Sequence, residues 1–184
     1  MEKEKPKAKS KSRSLETDLM AALNFTEADL DANRDGQLSE EQRARLYGKR
    51  IYWLLAIAGV VVLVFLVNLP GVFVIFGSDD YPPPADILIF TGLIMGCIGI
   101  LAVLYTRSGL RAIAADLQEK TVEAVQGQIK LEPFGEGSIM LRVLDRVFSV
   151  SDRTGFAFKN GDPYCLYYAP HSKTLLSAEW LRED

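Results

Sequence analysis

Apolar residues run almost unbroken from Ile51 to Val67 and again from Ile87 to Tyr105, with no strand-like alternation in either run. Runs of this length and polarity predict membrane-spanning helices, here over residues 51–71 and 86–106. Residues 51–67 alone would reach only about 26 Å, short of a bilayer core of about 30 Å. The first helix is therefore expected to continue past Asn68 to Pro70-Gly71. The sequence leaves open whether Val72 to Phe76 extends it after a kink or lies at the far interface. Ser78 to Pro84 reads as the connecting turn, and the prolines before Asp86 suit the start of the second helix.

After Lys120 the period changes. Val125, Gly127, Ile129 and Leu131 alternate with Gln126, Gln128, Lys130 and Glu132, a strand pattern. Further strands are expected near residues 138–144, 146–151, 163–169 and 174–178, separated by PFGEG, KNGDP and APHSK. Short strands at this spacing predict a small closed or nearly closed antiparallel β-barrel, of SH3-like or OB-like size. A helical turn within Arg153 to Lys159 would place Phe156 and Phe158 in its core. Before the first span, Leu15, Leu19, Ala22 and Leu23 share one face of a predicted helix, Ser14 to Leu23. A second short helix over Thr26 to Leu30 has Asn24 and Thr26 as caps. Ser39 caps a third, which opens on Glu40-Glu41 and runs on into the membrane. Ser108 to Lys120 continues the second span as a juxtamembrane helix.

The expected fold class is thus an α+β membrane protein. It has a disordered basic tail (1–13), a helical segment (14–48), a transmembrane helical hairpin (49–107), a juxtamembrane helix (108–120) and a β-barrel domain (121–184). The tail reads as solubilising, with a polybasic contact to anionic lipid as the alternative.

Charge orients the hairpin. Eleven Lys or Arg precede Ile51, none lies in the connecting turn, and Arg107 and Arg111 follow the second span. Both termini are therefore expected on the cytoplasmic side of a plasma or bacterial inner membrane. The formal net charge of −3 averages over unlike regions and gives no basis for nucleic-acid binding. With only Cys97 and Cys165 present, no disulfide framework is expected.

Residues 31 to 42 (DANRDGQLSEEQ) carry the one constellation with ligand spacing. Asp31, Asn33 and Asp35 fall at loop positions 1, 3 and 5, Gly36 at the sharp turn, and Gln37 at the backbone-carbonyl position. Ser39 can ligate through water. The segment resembles the calcium loop of EF-hands and the related dockerin-type loop. That resemblance implies a divalent-cation site formed by Asp31, Asn33, Asp35, Gln37, Ser39 and Gln42, taking calcium weakly, or magnesium. Gln42 replaces the bidentate Glu of the family, which places affinity on the order of 10⁻⁴ M or weaker. The alternative is a fixed turn held by Asx-type hydrogen bonds. The segment GDPYCLYYAPHSKTLLSAEWL is loosely similar to uncharacterised bacterial membrane proteins with two spans.

Gly92, Gly96 and Gly99 form a small-residue stripe for helix packing, against Ala56 and Gly59 of the same hairpin or against a second copy. Enzymatic chemistry is not expected: Ser149, Asp152 and His171 could be drawn as a triad, but no nucleophile elbow supports it. Tyr164, Tyr167, Tyr168, Phe156, Phe158 and Trp180 read as barrel core and rim, with a peptide groove as the alternative. The expected function is a membrane anchor or scaffold. Its partners would be the bilayer, a protein bound through the β domain or second span, or another copy of itself. The alternatives are a calcium-responsive regulator and an accessory subunit of a larger membrane complex.

Overall fold

The computed structural model describes residues 7–77 and 85–181 of the 184-residue chain. They fall into two compact units, Met1–Arg45 with Ala115–Asp184, and Leu46–Ala114.

In the first unit, α1 (Lys7–Leu23) starts well before Ser14. Residues 7–13 are therefore helical where a disordered tail was expected; residues 1–6 lie outside the described ones. Once Leu15 and Leu19 are buried, extending the helix through Lys, Ala and Arg adds a backbone bond per residue at little cost in propensity. The helix ends on Asn24, whose φ of 54° is left-handed. The Phe25 N–H then reaches back to the Met20 carbonyl at 3.1 Å, and both side chains join the core, a Schellman-type stop. α2 (Glu27–Arg34) follows at once, with Thr26 and Asp29 forming a reciprocal capping box.

The sheet has the order β3-β2-β1-β4-β5. β1 (Glu123–Pro133) is the central strand. Its first half pairs with β4 (Pro163–Tyr168), from Glu123 opposite Tyr168 to Gln128 opposite Pro163. Its second half pairs with β2 (Ser138–Val143), from Ile129 opposite Val143 to Pro133 opposite Ile139. β3 (Arg146–Ser151) adds to β2, and β5 (Leu175–Trp180) to β4. All pairs are antiparallel, and all five strands fall near the positions expected from the sequence.

The sheet does not close into the expected barrel, because β3 and β5 remain as its two ends. A barrel covers its apolar face by curling on itself. Here helices cover it: Leu19, Phe25 and Leu30 share one core with Ile129, Leu141, Phe148, Tyr164, Leu166 and Tyr168. The helical segment and the β domain, expected as two modules, are thus one packed unit. Tyr164, Tyr167 and Tyr168 are buried, so they form core and do not line a groove. Phe148 meets Tyr168 edge-on at 5.0 Å, and Phe158 meets Tyr164 at 5.2 Å. α5 (Asp152–Gly155) supplies the expected helical turn, but only Phe158 enters the core; Phe156 is 81% exposed.

The second unit belongs to two long helices. α3 (Glu40–Gly77) passes through Pro70 as one helix, and α4 (Ala85–Glu119) includes the expected juxtamembrane segment without a break. The connecting turn, 78–84, lies outside the described residues. Among those described, one helical stretch, Glu40–Leu63, is long and apolar enough to cross a membrane, and Gly92–Leu101 is a shorter apolar one. The side chains run opposite to those of the sheet: Leu55, Val61, Val62, Leu63, Leu93, Ile100 and Leu101 are all exposed.

Candidate functional site

The loop between α2 and α3 begins as helix, and that decides what its ligand-type residues do. Asp31 and Asn33 lie within α2. At about 100° per residue, two positions apart on a helix point to nearly opposite sides. Asp31 accordingly faces solvent, its side chain 70% exposed and 2.9 Å from Arg34. Asn33 faces the sheet, 2% exposed, and donates its amide to Ser177 Oγ on β5 at 2.6 Å. Arg34 also reaches β5, pairing with Glu179 at 2.6 Å. Asp35 is the C-cap of α2, its N–H bonded to the Asp31 carbonyl. Gly36 turns the chain with φ +72°, the left-handed conformation expected at that position.

Beyond the turn, Leu38 is buried and Gln37 exposed. Gln37 forms an antiparallel bridge to Thr121. The Leu38 N–H bonds the Lys120 carbonyl at 3.1 Å, and the Val122 N–H bonds the Gly36 carbonyl at 3.0 Å. Ser39 and Gln42 form a second capping box. The Ser39 hydroxyl accepts from the Gln42 N–H at 3.1 Å, and the Gln42 amide oxygen lies 3.4 Å from the Ser39 N–H. A Gln at the third helical position is the ordinary partner in such a box, which gives Gln42 a role that needs no metal.

The two boxes share one residue. Asp29, 2% exposed, accepts from the Thr26 N–H at 2.9 Å and from the Ser39 hydroxyl, and it pairs with Arg45 at 3.2 Å. Arg45 also donates to the Asn24 carbonyl. Burial pushes the Asp29 carboxyl up, but the hydrogen bonds from Ser39 and Thr26 and the Arg45 charge outweigh it. Its pKa therefore falls below the ordinary carboxylate value.

A second clasp holds the end of α4. Asp116, fully buried, accepts the N–H groups of His171 and Ser172, one on each carboxylate oxygen and both at 2.9 Å. His171 Nε2 lies 3.0 Å from Glu119. The hydrogen bond to Glu119 raises the imidazole pKa and outweighs the opposing effect of desolvation. With His171 engaged there, Ser149 on β3 and Asp152 at the head of α5 are not joined to it by any hydrogen bond among the described residues.

The arrangement does not fit a bound calcium ion. Asp31, Asn33 and Gln42 go respectively to an arginine, the sheet and a helix cap. Among the described residues no group of three His, Cys, Asp or Glu is placed to hold a metal. Two buried amide atoms, Asn33 Oδ1 and Gln42 Nε2, have no hydrogen-bond partner among the described residues. In the second unit, a Cβ at Gly59, Gly96 or Gly99 would meet nothing within 4 Å among the described residues.

Asp29, Arg45, Asp116 and Ser177 escaped sequence reasoning. The two boxes were legible as Thr26-x-x-Asp29 and Ser39-x-x-Gln42. The contacts of Asp116 with His171 and of Asn33 with Ser177 span long sequence separations and leave no local pattern. The chain matches no protein-family model, no curated protein and no solved structure.

Proposed function

We infer that the protein is a non-enzymatic membrane anchor that presents its α+β unit to the cytoplasm. The supporting observation is the exposure of its apolar helices. Only 6% of the apolar window within Glu40–Leu63 is buried, whereas a core helix of a soluble protein would be covered. Contiguous apolar surface on this scale marks contact with lipid or another protein. In this reading α3 and α4 cross the bilayer as a hairpin, Lys49 and Arg50 lie at the cytoplasmic interface, and Tyr52 and Trp53 sit at headgroup level. The capped loop and the Asp116 clasp hold the chain where it leaves and re-enters the α+β unit.

The direct test is alkaline-carbonate extraction of membranes expressing the full chain, combined with impermeant thiol labelling of a Ser78→Cys variant. The chain should stay in the pellet and label from outside the cell. Release into the supernatant removes the anchor; labelling of position 78 only after lysis removes the hairpin topology.

Gly59, Gly96 and Gly99, uncrowded among the described residues, favour a second reading, an accessory subunit whose membrane helices pack against those of a larger complex. Cross-linking in native membranes checks it, and recovery of the uncomplexed chain alone counts against it.

A further inference from the structure

The sheet ends on two unlike edges. β5 is flanked by α2, which bonds Ser177 through Asn33 and Glu179 through Arg34. On β3, the described helix bonds reach only the last residue, Ser151, from Thr154 of α5. Arg146 pairs with Val143 across a two-residue turn, and the Asp152 N–H bonds the Gly137 carbonyl on the β2 side. Even-numbered residues of β3 therefore direct their backbone groups toward β2. Val147 and Ser149 direct theirs outward, where no hydrogen-bond partner is found among the described residues. The strand, RVFSVS, has no proline or lysine, two common devices that keep a free edge from pairing.

We propose that β3 is a dimerisation edge, pairing antiparallel with β3 of a second copy to join two five-stranded sheets into one. The sequence of the strand favours a second copy because it is complementary to itself in one register. With Ser149 on the two-fold axis, each Ser149 exchanges N–H···O=C bonds with its counterpart, and Val147 lies opposite Ser151. On the inner face Phe148 meets Val150, an aromatic–β-branched pair of the kind that stabilises sheets. At the strand ends the exposed Arg146 faces Asp152, base against acid. Moving the centre to residue 148 sets Arg146 against Val150, and moving it to residue 150 sets Phe148 against Asp152. A shift to any odd register puts apolar faces against polar ones. The proposal rests on the sheet edge alone and holds whether or not the apolar helices sit in a bilayer.

The test uses the full chain in detergent with Cys97→Ser as background, since Cys165 is buried. Paired residues on the axis have Cα atoms about 5.5 Å apart, within disulfide range. Ser149→Cys should therefore oxidise to a covalent dimer, while Glu27→Cys at the exposed start of α2 should not. Ser149→Pro removes only outward-facing donors, leaves the bonds to β2, and should weaken association about tenfold or more. Arg146→Glu should weaken it as well, and adding Asp152→Arg should restore it. A wild-type chain that stays monomeric by light scattering, a Ser149→Cys chain that does not cross-link, or a dimer indifferent to both substitutions would overturn the proposal. The last result would assign association to the membrane helices.

Discussion

The two units of this chain treat apolar side chains in opposite ways. In the α+β unit, Ile129, Leu141, Phe148, Tyr164 and Leu166 are almost fully enclosed. In the helical unit, leucines, valines and isoleucines are exposed along α3 and α4. One chain does not fold by two rules. The same preference for removing apolar surface from water holds in both: a core satisfies it in the first, and the proposed bilayer would satisfy it in the second.

The contrast can be broken most severely in the core. Phe148→Ala should cost about 3–5 kcal/mol, read by chemical unfolding of the full chain in detergent. Leu55→Ala, at a 67% exposed position, should leave the unfolding midpoint of the α+β unit unchanged. An equal loss at Leu55 would mean that α3 packs into a protein core. Next in size, Val61→Lys should cost about 2.5–3.5 kcal/mol of membrane insertion. The readout is the fraction resisting carbonate extraction, while far-ultraviolet circular dichroism reports an intact sheet.

Smaller effects belong to the capped loop of the α+β unit. Asp29→Asn should remove about 1–3 kcal/mol, since it discharges a buried carboxylate bonded to Ser39, Thr26 and Arg45. Its folded pKa is lowered, so the stabilisation is present above the unfolded carboxylate value and is lost as pH falls through the folded one. Acid unfolding of wild type should carry this component, and the Asn variant should lack it. Calcium or magnesium should leave the melting temperature of the chain unchanged, because α2 turns Asp31 toward solvent and Asn33 toward Ser177. A rise in Tm with either ion would show that Asn33 can leave Ser177.

The smallest change is at His171. Its pKa is raised by Glu119, so its contribution is full below the unfolded histidine value and is lost as pH rises through the folded one. Removing it by His171→Ala should flatten that part of the pH–stability curve. A curve unchanged by the substitution would show that Glu119 adds nothing to the clasp.

Much of the fold was readable because its determinants are local. Strand alternation around Ile129, the apolar runs after Ile51, and the caps at Thr26 and Ser39 each depend on neighbours a few residues away. The disposition of the loop was not readable in the same way. The spacing of Asp31, Asn33, Asp35 and Gly36 is that of a calcium loop, yet the same letters serve a helix that continues through Asn33. Ligand spacing in sequence has meaning only if the backbone turns the oxygens toward one point, and α2 turns them apart. The barrel failed for a related reason: five strands do not decide whether the end strands meet, and here they do not.

The sequence by itself determined the elements, the lipid-like polarity of the helical unit and the charge asymmetry on which the proposed orientation rests. These follow from periodicity and composition, which act over one or two turns or strands. Only the tertiary structure decided that α1 and α2 roof an open sheet, that Asn33 and Gln42 turn their amides to β5 and a helix cap, and that the outer backbone edge of β3 has no hydrogen-bond partner among the described residues. Each outcome depends on groups brought together from distant parts of the chain. Burial at those meeting points, more than residue type, determines which hydrogen bonds are made.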